Sequence, residues 1–163
     1  MAVKMNEMIV QEEDTQRGKF LAFQLGNEFF GVEIKYVTEI IGIQSITTVP
    51  EVPAYVKGII NLRGKIIPVI DMRIKFKKPQ AEYDDRTCII VIEINDISIG
   101  FIVDSVSEVL KIDDENIVPP PSYKTGEQNK YIKGISKIGS DVKLLLDCEM
   151  IITENEMESE RVK

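Results

Sequence analysis

Carboxylate side chains are the residues of this chain whose type and spacing could support catalysis or metal binding. Asp84-Asp85 and Asp113-Asp114 have the composition of a metal-binding or acid–base cluster, and Asp71 follows an apolar strand as a phosphoacceptor aspartate does. Neither pair lies next to a glycine-rich phosphate loop or a nucleophile motif. We therefore interpret both pairs as solvated loops, with an unrecognised carboxylate enzyme as an alternative function.

Histidine is absent from all 163 residues. Its absence removes the usual general base, the commonest metal ligand and any phosphohistidine. Ser122, Ser136 and Ser140 consequently have no histidine to activate them. Cys88 and Cys148 lack a CxxC spacing, so we interpret them as small apolar core residues and not as a metal site or a disulfide. The sequence predicts no catalytic residue, metal or cofactor, which leaves binding.

An internal repeat covers most of the chain. Gly31–Ile41 recurs as Gly100–Leu110 at an offset of 69 (100 minus 31), and Tyr55–Ile59 recurs as Tyr131–Ile135 at an offset of 76 (131 minus 55). A repeat of this length indicates two copies of one structural unit. Positions shared by both copies are expected to build the unit, whereas a position special to one copy is a better candidate for function.

The repeat gives Asp71 a mate, because the offset of 76 places Asp147 at the same position of the second copy. An aspartate repeated after both strands favours a structural role, such as capping the turn that follows. A phosphorylated receiver also needs strands and helices that alternate around a parallel sheet, and this chain lacks the helices. A receiver-type regulator phosphorylated on aspartate is kept as an alternative function.

Strand-forming residues alternate with tight turns along most of the chain. Two-residue turns are predicted at Gly26-Asn27, Arg63-Gly64, Asn95-Asp96 and Gly139-Ser140, which gives two hairpins per copy in the same order. Pro53–Lys57 is predicted to add a short helix. Short strands with frequent turns and few long helices predict an all-β protein built from small antiparallel barrels.

The repeat divides the chain into five segments. A flexible polar arm covers residues 1–18, the first barrel repeat 19–76, a connector 77–87, the second barrel repeat 88–152, and a helical or frayed tail 153–163. Each copy is only about 65 residues long, which is marginal for independent stability. We therefore expect the two copies to pack on each other as one cooperative body.

Apolar positions of the predicted strands define the expected core. With 44% hydrophobic residues, a chain of this length can bury a substantial interior. Buried residues are expected among Ile66, Val69, Leu144 and Leu146. Ile34 and Val37, which are apolar and three residues apart, are either part of this core or the lining of a groove beside Glu39.

A net charge of −7 argues against binding to nucleic acid or to an anionic membrane, since both need clustered Lys and Arg. No apolar run reaches the length of a membrane span. Residues 1–10 are interrupted by Lys4, Asn6 and Glu7, unlike a signal peptide. We expect a cytoplasmic protein without direct membrane insertion.

The clearest difference between the copies is Asn61–Gly64, which becomes Lys137–Ser140 in the second copy. Arg63 would lie at the tip of a hairpin, where its planar guanidinium can bind a carboxylate or backbone carbonyls. A solvated turn residue is the alternative interpretation. Glu39 has Glu108 as its repeat mate, so either glutamate can be structural.

The segment Asn61–Arg73 (NLRGKIIPVIDMR) resembles the signature of the chemotaxis coupling protein family, CheW. Further matching strings follow the same order along the chain: Phe20–Gly26, Phe30–Val32, Val37–Ile40, Pro53–Gly58 and Gly100–Val106. The same fold ends the CheA histidine kinase and begins the CheV adaptors. Because no kinase ATP-binding segment, phosphotransfer histidine or receiver accompanies it here, a stand-alone adaptor fits best.

The resemblance implies two SH3-like five-stranded β-barrel subdomains around a shared core, with short helices and a C-terminal helix. It also implies a scaffold that couples the cytoplasmic tips of methyl-accepting chemoreceptors to the regulatory domain of CheA, and so controls kinase activity. That kinase domain is built in the same way, so barrel ends can pair pseudo-symmetrically. Self-association in receptor arrays is therefore an expected property.

Functions for single residues follow from the same resemblance. Receptor contact is expected in the groove between the subdomains, at Ile34, Val37, Glu39, Arg63 and Val106. Kinase contact is expected at the far end of the first barrel, near Gly42 and Ile43. Gly58 matches a position implicated in coupling, where it can act through backbone geometry.

Overall fold

A computed structural model describes residues 16–120, 130–138 and 140–154. Most of the predicted arm over 1–18 and most of the predicted tail over 153–163 lie outside these residues. The described residues form strands and short helices, which confirms the all-β class. The strands are β1 (Lys19–Leu25), β2 (Glu28–Glu33), β3 (Val37–Gly42), β4 (Val56–Leu62), β5 (Lys65–Asp71), β6 (Cys88–Ile94), β7 (Ile97–Val103), β8 (Ser105–Lys111), β9 (Ile117–Val118), β10 (Ile132–Ile138) and β11 (Asp141–Leu146).

Short helices connect or follow these strands. Helix α1 spans Met72–Lys75 after β5, and helix α2 spans 148–154 after β11, as predicted for the C-terminal part of the chain. Turns of 3-10 helix cover Ile34–Tyr36 and Asp114–Asn116. Among the described residues, no helix has the length and apolar character needed to cross a membrane.

All four predicted hairpins are present: β1–β2, β4–β5, β6–β7 and β10–β11. The turn between β6 and β7 places Asn95 and Asp96 at φ +51° and +65°, a conformation that these residue types tolerate. Pro53–Lys57, in contrast, forms a turn closed by the Val56 N–H and the Pro53 carbonyl, and β4 begins at Val56. The predicted short helix there is wrong, since β4 takes up its second half.

Each sheet combines strands from both sequence repeats. The six-stranded sheet has the order β8-β1-β2-β11-β10-β9, and the five-stranded sheet has the order β3-β6-β7-β5-β4. Hairpin β1–β2 therefore joins the strands of the second repeat, and hairpin β6–β7 joins β3, β4 and β5. The sheets thus do not coincide with segments 19–76 and 88–152. The five-stranded sheet uses the continuous stretch 37–103, and the other sheet takes strands from both sides of it.

The exchanged hairpins occupy equivalent places in the two sheets. β2 runs parallel to β11 in one sheet, and β7 runs parallel to β5 in the other, while the remaining pairs are antiparallel. In the five-stranded sheet, an isolated bridge between Thr47 and Ile59 links the segment after β3 back to β4. In the six-stranded sheet, β9 pairs with β10 at Ile135, which is the repeat mate of Ile59. In both sheets, the pairing that brings the edges together is therefore made at equivalent positions of the two repeats, Ile59 and Ile135.

One apolar core joins the two sheets. Strands β1 and β6 share one burial pattern, with four consecutive buried residues, because side chains on both of their faces are covered. Phe23 and Phe30 stack with ring centroids 5.4 Å apart, and contacts continue through Phe76 to Tyr131. This largest cluster also contains Phe101 of the five-stranded sheet. The expected shared core is present.

The four strand residues of the core prediction do include buried positions, as expected. Val69 and Leu146 are buried, and Leu144 is half-buried against the shared core. Ile66, however, is 56% exposed. In β5 the side chains alternate between faces, and Ile67 and Val69 point inward, so Ile66 points outward.

Candidate interaction surface

Arg63 and Glu39 contact each other directly. Arg63 lies in the turn between β4 and β5, and Glu39 lies on β3 at the opposite edge of the same sheet. The Arg63 Nη2 group donates a hydrogen bond to Glu39 Oε2, and the side chains are 71% and 29% exposed. This hydrogen bond, together with the charge of Glu39, raises the pKa of Arg63. Two of the residues that the sequence analysis selected therefore form one charged feature on the surface.

The backbone at Arg63 is unusual for an arginine. Its φ of +53° lies in the left-handed region, which costs a residue with a Cβ about 1–2 kcal/mol relative to a glycine. The turn is held by Asn61, whose Oδ1 accepts a hydrogen bond from the Gly64 N–H at 2.8 Å. Positive φ at both Arg63 and Gly64 is what a two-residue type I′ hairpin turn requires, as at Asn95 and Asp96. Recognition by Arg63 therefore stays a prediction beside the alternative of a solvated turn residue.

The three apolar residues of the expected receptor groove pack on the same core. Ile34 lies in the 3-10 turn after β2, Val37 begins β3, and Val106 lies on β8. All three are half-buried and contact the shared core cluster. Val106 is also the repeat mate of Val37, at the offset of 69. Their common role in receptor contact stays a prediction.

Gly42 and Ile43, the expected kinase contact, lie at the end of β3. Gly42 is exposed, and a Cβ placed there would meet no atom within 4 Å. Ile43 is half-buried and packs with Ile41, Ile46 and Leu62 against the interior of the five-stranded sheet. A side chain at position 42 would therefore project into space that a partner can occupy.

Gly58 allows two backbone segments to approach each other closely. Its φ is +148°, and a Cβ built there would lie 2.1 Å from the carbonyl oxygen of Thr47. The same residue sits at an irregularity in the pairing of β4 with β5. Since Thr47 and Ile59 form the bridge that links the two edges of the sheet, Gly58 is required for that approach of two backbones.

Asp71 and Asp147 both cap the helix that follows them, as predicted. Asp71 Oδ1 accepts hydrogen bonds from the Arg73 and Ile74 N–H groups at 3.0 and 3.4 Å, and Asp147 Oδ1 accepts one from the Met150 N–H at 3.0 Å. Asp71 is 2% exposed, and its second oxygen accepts a hydrogen bond from the Tyr83 hydroxyl at 2.8 Å. Both oxygens are therefore engaged. No group of three or more potential metal ligands occurs within the described residues.

An ion pair that was not predicted from the sequence joins residues that follow the adjacent strands β5 and β7 of the five-stranded sheet. Arg73 of α1 binds Asp104, after β7, through two hydrogen bonds of 2.7 and 2.5 Å, and the Gly26 N–H donates to the same carboxylate at 2.8 Å. Burial alone would raise the pKa of Asp104, but these hydrogen bonds and the charge of Arg73 outweigh it and lower the pKa. The sequence does contain a signal for this pair. The repeat mate of Arg73 is Glu149, at the offset of 76, and the mate of Asp104 is Lys35, at the offset of 69, so the signs of the two charges are exchanged between the halves.

The equivalent joint in the other half is an open polar cavity. Its volume is about 260 Å³, and it is lined by Glu33, Lys35, Tyr36, Lys133, Asp147, Cys148 and Glu149. Lys35 pairs with Glu33 at 3.3 Å, and the Tyr36 hydroxyl donates to Glu149 at 3.1 Å. Burial, helped by this hydrogen bond, raises the pKa of Tyr36. Because Tyr36 lies between Ile34 and Val37, the cavity adjoins the expected receptor groove.

Known proteins share both the sequence and the fold of this chain. The CheW-like domain family matches residues 19–156. The chemotaxis protein CheW of Klebsiella aerogenes is 37% identical over 144 residues, which are 88% of this chain and 87% of that protein. The chemotaxis protein CheW of Treponema pallidum is 32% identical over 155 residues, which are 93% and 89% of the two chains.

A solved structure agrees with these relatives. The crystal structure of the scaffolding protein TtCheW from Thermoanaerobacter tengcongensis superposes with a TM-score of 0.73 at 38% sequence identity, covering 80% of this chain and 84% of that one. The family match spans all the strands described above, from the start of β1 to beyond β11. This chain therefore belongs to the CheW-like domain family of chemotaxis scaffold proteins.

Proposed function

We propose that this chain is a cytoplasmic, non-enzymatic adaptor that couples the tips of chemoreceptors to the regulatory domain of the CheA histidine kinase, and thereby controls kinase activity. The observation that carries the proposal is the pair of Arg63 and Glu39. An arginine at positive φ on a hairpin tip, paired with a glutamate from the facing edge strand, supplies a charged, preorganised contact for a protein partner.

Receptor binding is assigned to the surface around Glu39, which lies two residues after the half-buried Val37 on β3. Ile34, Val37 and Val106 supply partly exposed apolar area next to a polar rim, which is the composition of a protein interface. Glu39 is 29% exposed and would lose more of its contact with water in a complex. Binding would thus draw on apolar burial and on a desolvated charge together.

Kinase binding is assigned to the end of the five-stranded sheet at Gly42 and Ile43. Exposed apolar side chains occur at matching positions of the two repeats, Ile40 with Val109 and Ile66 with Val142. Related apolar surface is therefore offered by both halves of the molecule. This supports pairing with other domains of the same fold, including self-association in receptor arrays.

The test is co-sedimentation of the purified chain with receptor cytoplasmic fragments and CheA, scored for a ternary complex and for kinase activity. We expect the complex to form and the kinase activity to respond only when all three proteins are present. A chain that binds neither partner would refute the proposal.

A charge-reversal pair sharpens this test. Glu39→Lys is expected to weaken receptor binding by roughly thirtyfold, as for an interface hot spot, with little change in the unfolding curve. Glu108→Lys is the matched control, because Glu108 is the repeat mate of Glu39 and is exposed on β8. Equal losses for the two variants would show that net charge, and not the groove, is responsible.

A further inference from the structure

Lys75 is a buried cation that the proposed function leaves unused. Its side chain is 2% exposed, at the end of α1. The Nζ group lies 3.8 Å from the ring centroid of Tyr55 and 4.6 Å from that of Tyr131. Burying an ammonium is unfavourable unless such partners compensate for the lost contact with water. The presence of a lysine at this buried position therefore needs an explanation.

The two tyrosines are repeat mates that flank the junction between the halves. Tyr55 precedes β4 in the five-stranded sheet, and Tyr131 precedes β10 in the six-stranded sheet. Their carbonyls have the same task, accepting hydrogen bonds from the Asp71 and Asp147 N–H groups at 2.8 and 2.7 Å. Lys75 therefore lies between equivalent aromatic rings of the two sheets and contacts both.

The repeat mate of Lys75 is Ile151, at the offset of 76, and Ile151 is fully buried on α2. The fold thus accepts an aliphatic residue at the equivalent position. Replacing buried ionic groups by apolar ones of similar volume is often neutral or stabilising. The ammonium of Lys75 is consequently not needed to fill the core, and a position special to one copy again indicates a function.

Glu154 on α2 supplies the negative charge for this site. Its Oε2 atom is buried and lies 3.6 Å from Lys75 Nζ, while Oε1 accepts a hydrogen bond from Lys130 at 2.7 Å. Burial would raise the pKa of Glu154, but the hydrogen bonds from Lys130 and Tyr131 and the charge of Lys75 lower it. At the other end of α2, Glu149 accepts the hydrogen bond from Tyr36. Helix α2 therefore connects the junction of the sheets to the segment that carries Ile34 and Val37.

We propose that Lys75 is a positioning residue: its ammonium anchors α2 across the two sheets through Glu154, and α2 holds the Tyr36 segment of the receptor groove through Glu149. The link to the groove rests on the proposed function, whereas the anchor itself does not. Loss of the charge should loosen α2 and the groove segment and leave the rest of the fold intact.

The test compares Lys75→Ile with Lys130→Gln in the full chain. Lys75→Ile introduces the residue type found at the equivalent position. Lys130→Gln removes the exposed partner of the same carboxylate, together with its contact at 5.1 Å to the ring centroid of Tyr131, and leaves Lys75 in place. Amide hydrogen exchange, followed without any partner, should become roughly tenfold faster over residues 148–154 in Lys75→Ile, with β6 unaffected. Lys130→Gln should change this rate by less than about twofold. Affinity for a receptor cytoplasmic fragment should fall by roughly tenfold in Lys75→Ile only.

A second variant keeps the anchor testable if Lys75→Ile does not fold. Glu154→Gln leaves Lys75 between its rings and removes the charge that holds α2. Unchanged exchange over 148–154 in either folded variant would overturn the anchor. Faster exchange with unchanged affinity for the receptor fragment would overturn the link from α2 to the groove. Failure of the wild-type chain to bind the fragment would contradict the proposed function, and the exchange rates would still decide on the anchor.

Discussion

Replacing Gly58 by alanine tests the claim that this residue acts through backbone geometry. The added Cβ would lie 2.1 Å from the Thr47 carbonyl oxygen and 2.8 Å from the Thr47 carbonyl carbon, both backbone atoms that a side-chain rotation cannot move away. The φ of +148° is also strained for any residue with a Cβ. Strain of about 1–3 kcal/mol and overpacking of about 1–3 kcal/mol give an expected loss of roughly 2–6 kcal/mol in the free energy of unfolding.

The repeat supplies a matched control in Gly134. Its Cβ would meet Ile117 Cγ2 at 2.7 Å and the Val118 oxygen at 3.6 Å, and its φ is not in the left-handed region. The close atom belongs to a side chain and not to the backbone, and the backbone at Gly134 is unstrained, so Gly134→Ala should cost only the overpacking of about 1–3 kcal/mol. Urea denaturation of both variants measures the difference.

Exchange of the Ile59 amide, which donates to the Thr47 carbonyl at 2.9 Å, reports directly on the bridge. We expect this amide to lose protection in Gly58→Ala while amides of the six-stranded sheet keep theirs at low denaturant. Equal costs for the two alanine variants, or a cost below about 0.5 kcal/mol at Gly58, would refute the reasoning from the close contact. If Gly58→Ala were stably folded and still bound the receptor and the kinase more weakly, position 58 would contribute to coupling directly and not through the stability of the fold.

Three further predictions concern the core and the carboxylates. Val69→Ala should cost about 2–5 kcal/mol in urea denaturation, whereas Ile66→Ala, on the exposed face of the same strand, should stay within about 0.5 kcal/mol of wild type. Because Arg73 lowers the native pKa of Asp104 below its unfolded value of about 3.9, the pair stabilises the fold above that pH, and the stabilisation disappears as the pH falls through the native pKa. Asp104→Asn should therefore be less stable at pH 7 and lose less stability as the pH falls below about 4, measured by thermal unfolding. Asp71 should remain unlabelled after incubation with phosphorylated CheA, since both of its oxygens are engaged; acid-labile label that disappears in Asp71→Asn would support a receiver instead.

Local pattern was sufficient to predict the hairpins but not the sheets. A two-residue turn such as Asn95-Asp96 fixes which neighbouring strands pair, because the turn geometry and the strands are close in sequence. Nothing local specifies that β2 lies beside β11, a parallel pair more than a hundred residues apart that depends on the whole core. For the same reason Ile66 and Ile67 could not be assigned to faces until the register of β5 was known.

Among the site residues, too, some could be selected from the sequence, but their contacts could not. Comparison of the repeats selected Arg63, and the resemblance selected Glu39 with it, but only the structure shows that the two side chains meet across the sheet edges. Lys75 was missed although its signal was present in the sequence, as the mate of Ile151 at the offset of 76. A lysine after a strand is usually solvated, so its burial between Tyr55 and Tyr131 could be recognised only from tertiary contacts.

The exchanged hairpins also bear on how the chain emerges from the ribosome. Hairpin β1–β2 carries Phe20, Leu21, Phe23 and Phe30, all buried in the final fold, yet its partner β8 begins 72 residues after β2 ends (105 minus 33). At about 5–20 residues per second, that apolar hairpin waits roughly 4–14 s for its first inter-repeat neighbour. The stretch 37–103 has a shorter delay, since its strands pair only with one another and β6 begins 46 residues after its partner β3 ends (88 minus 42). During translation, hairpin β1–β2 is thus made well before the strands that cover it, and it is where nascent-chain chaperones would have most to protect.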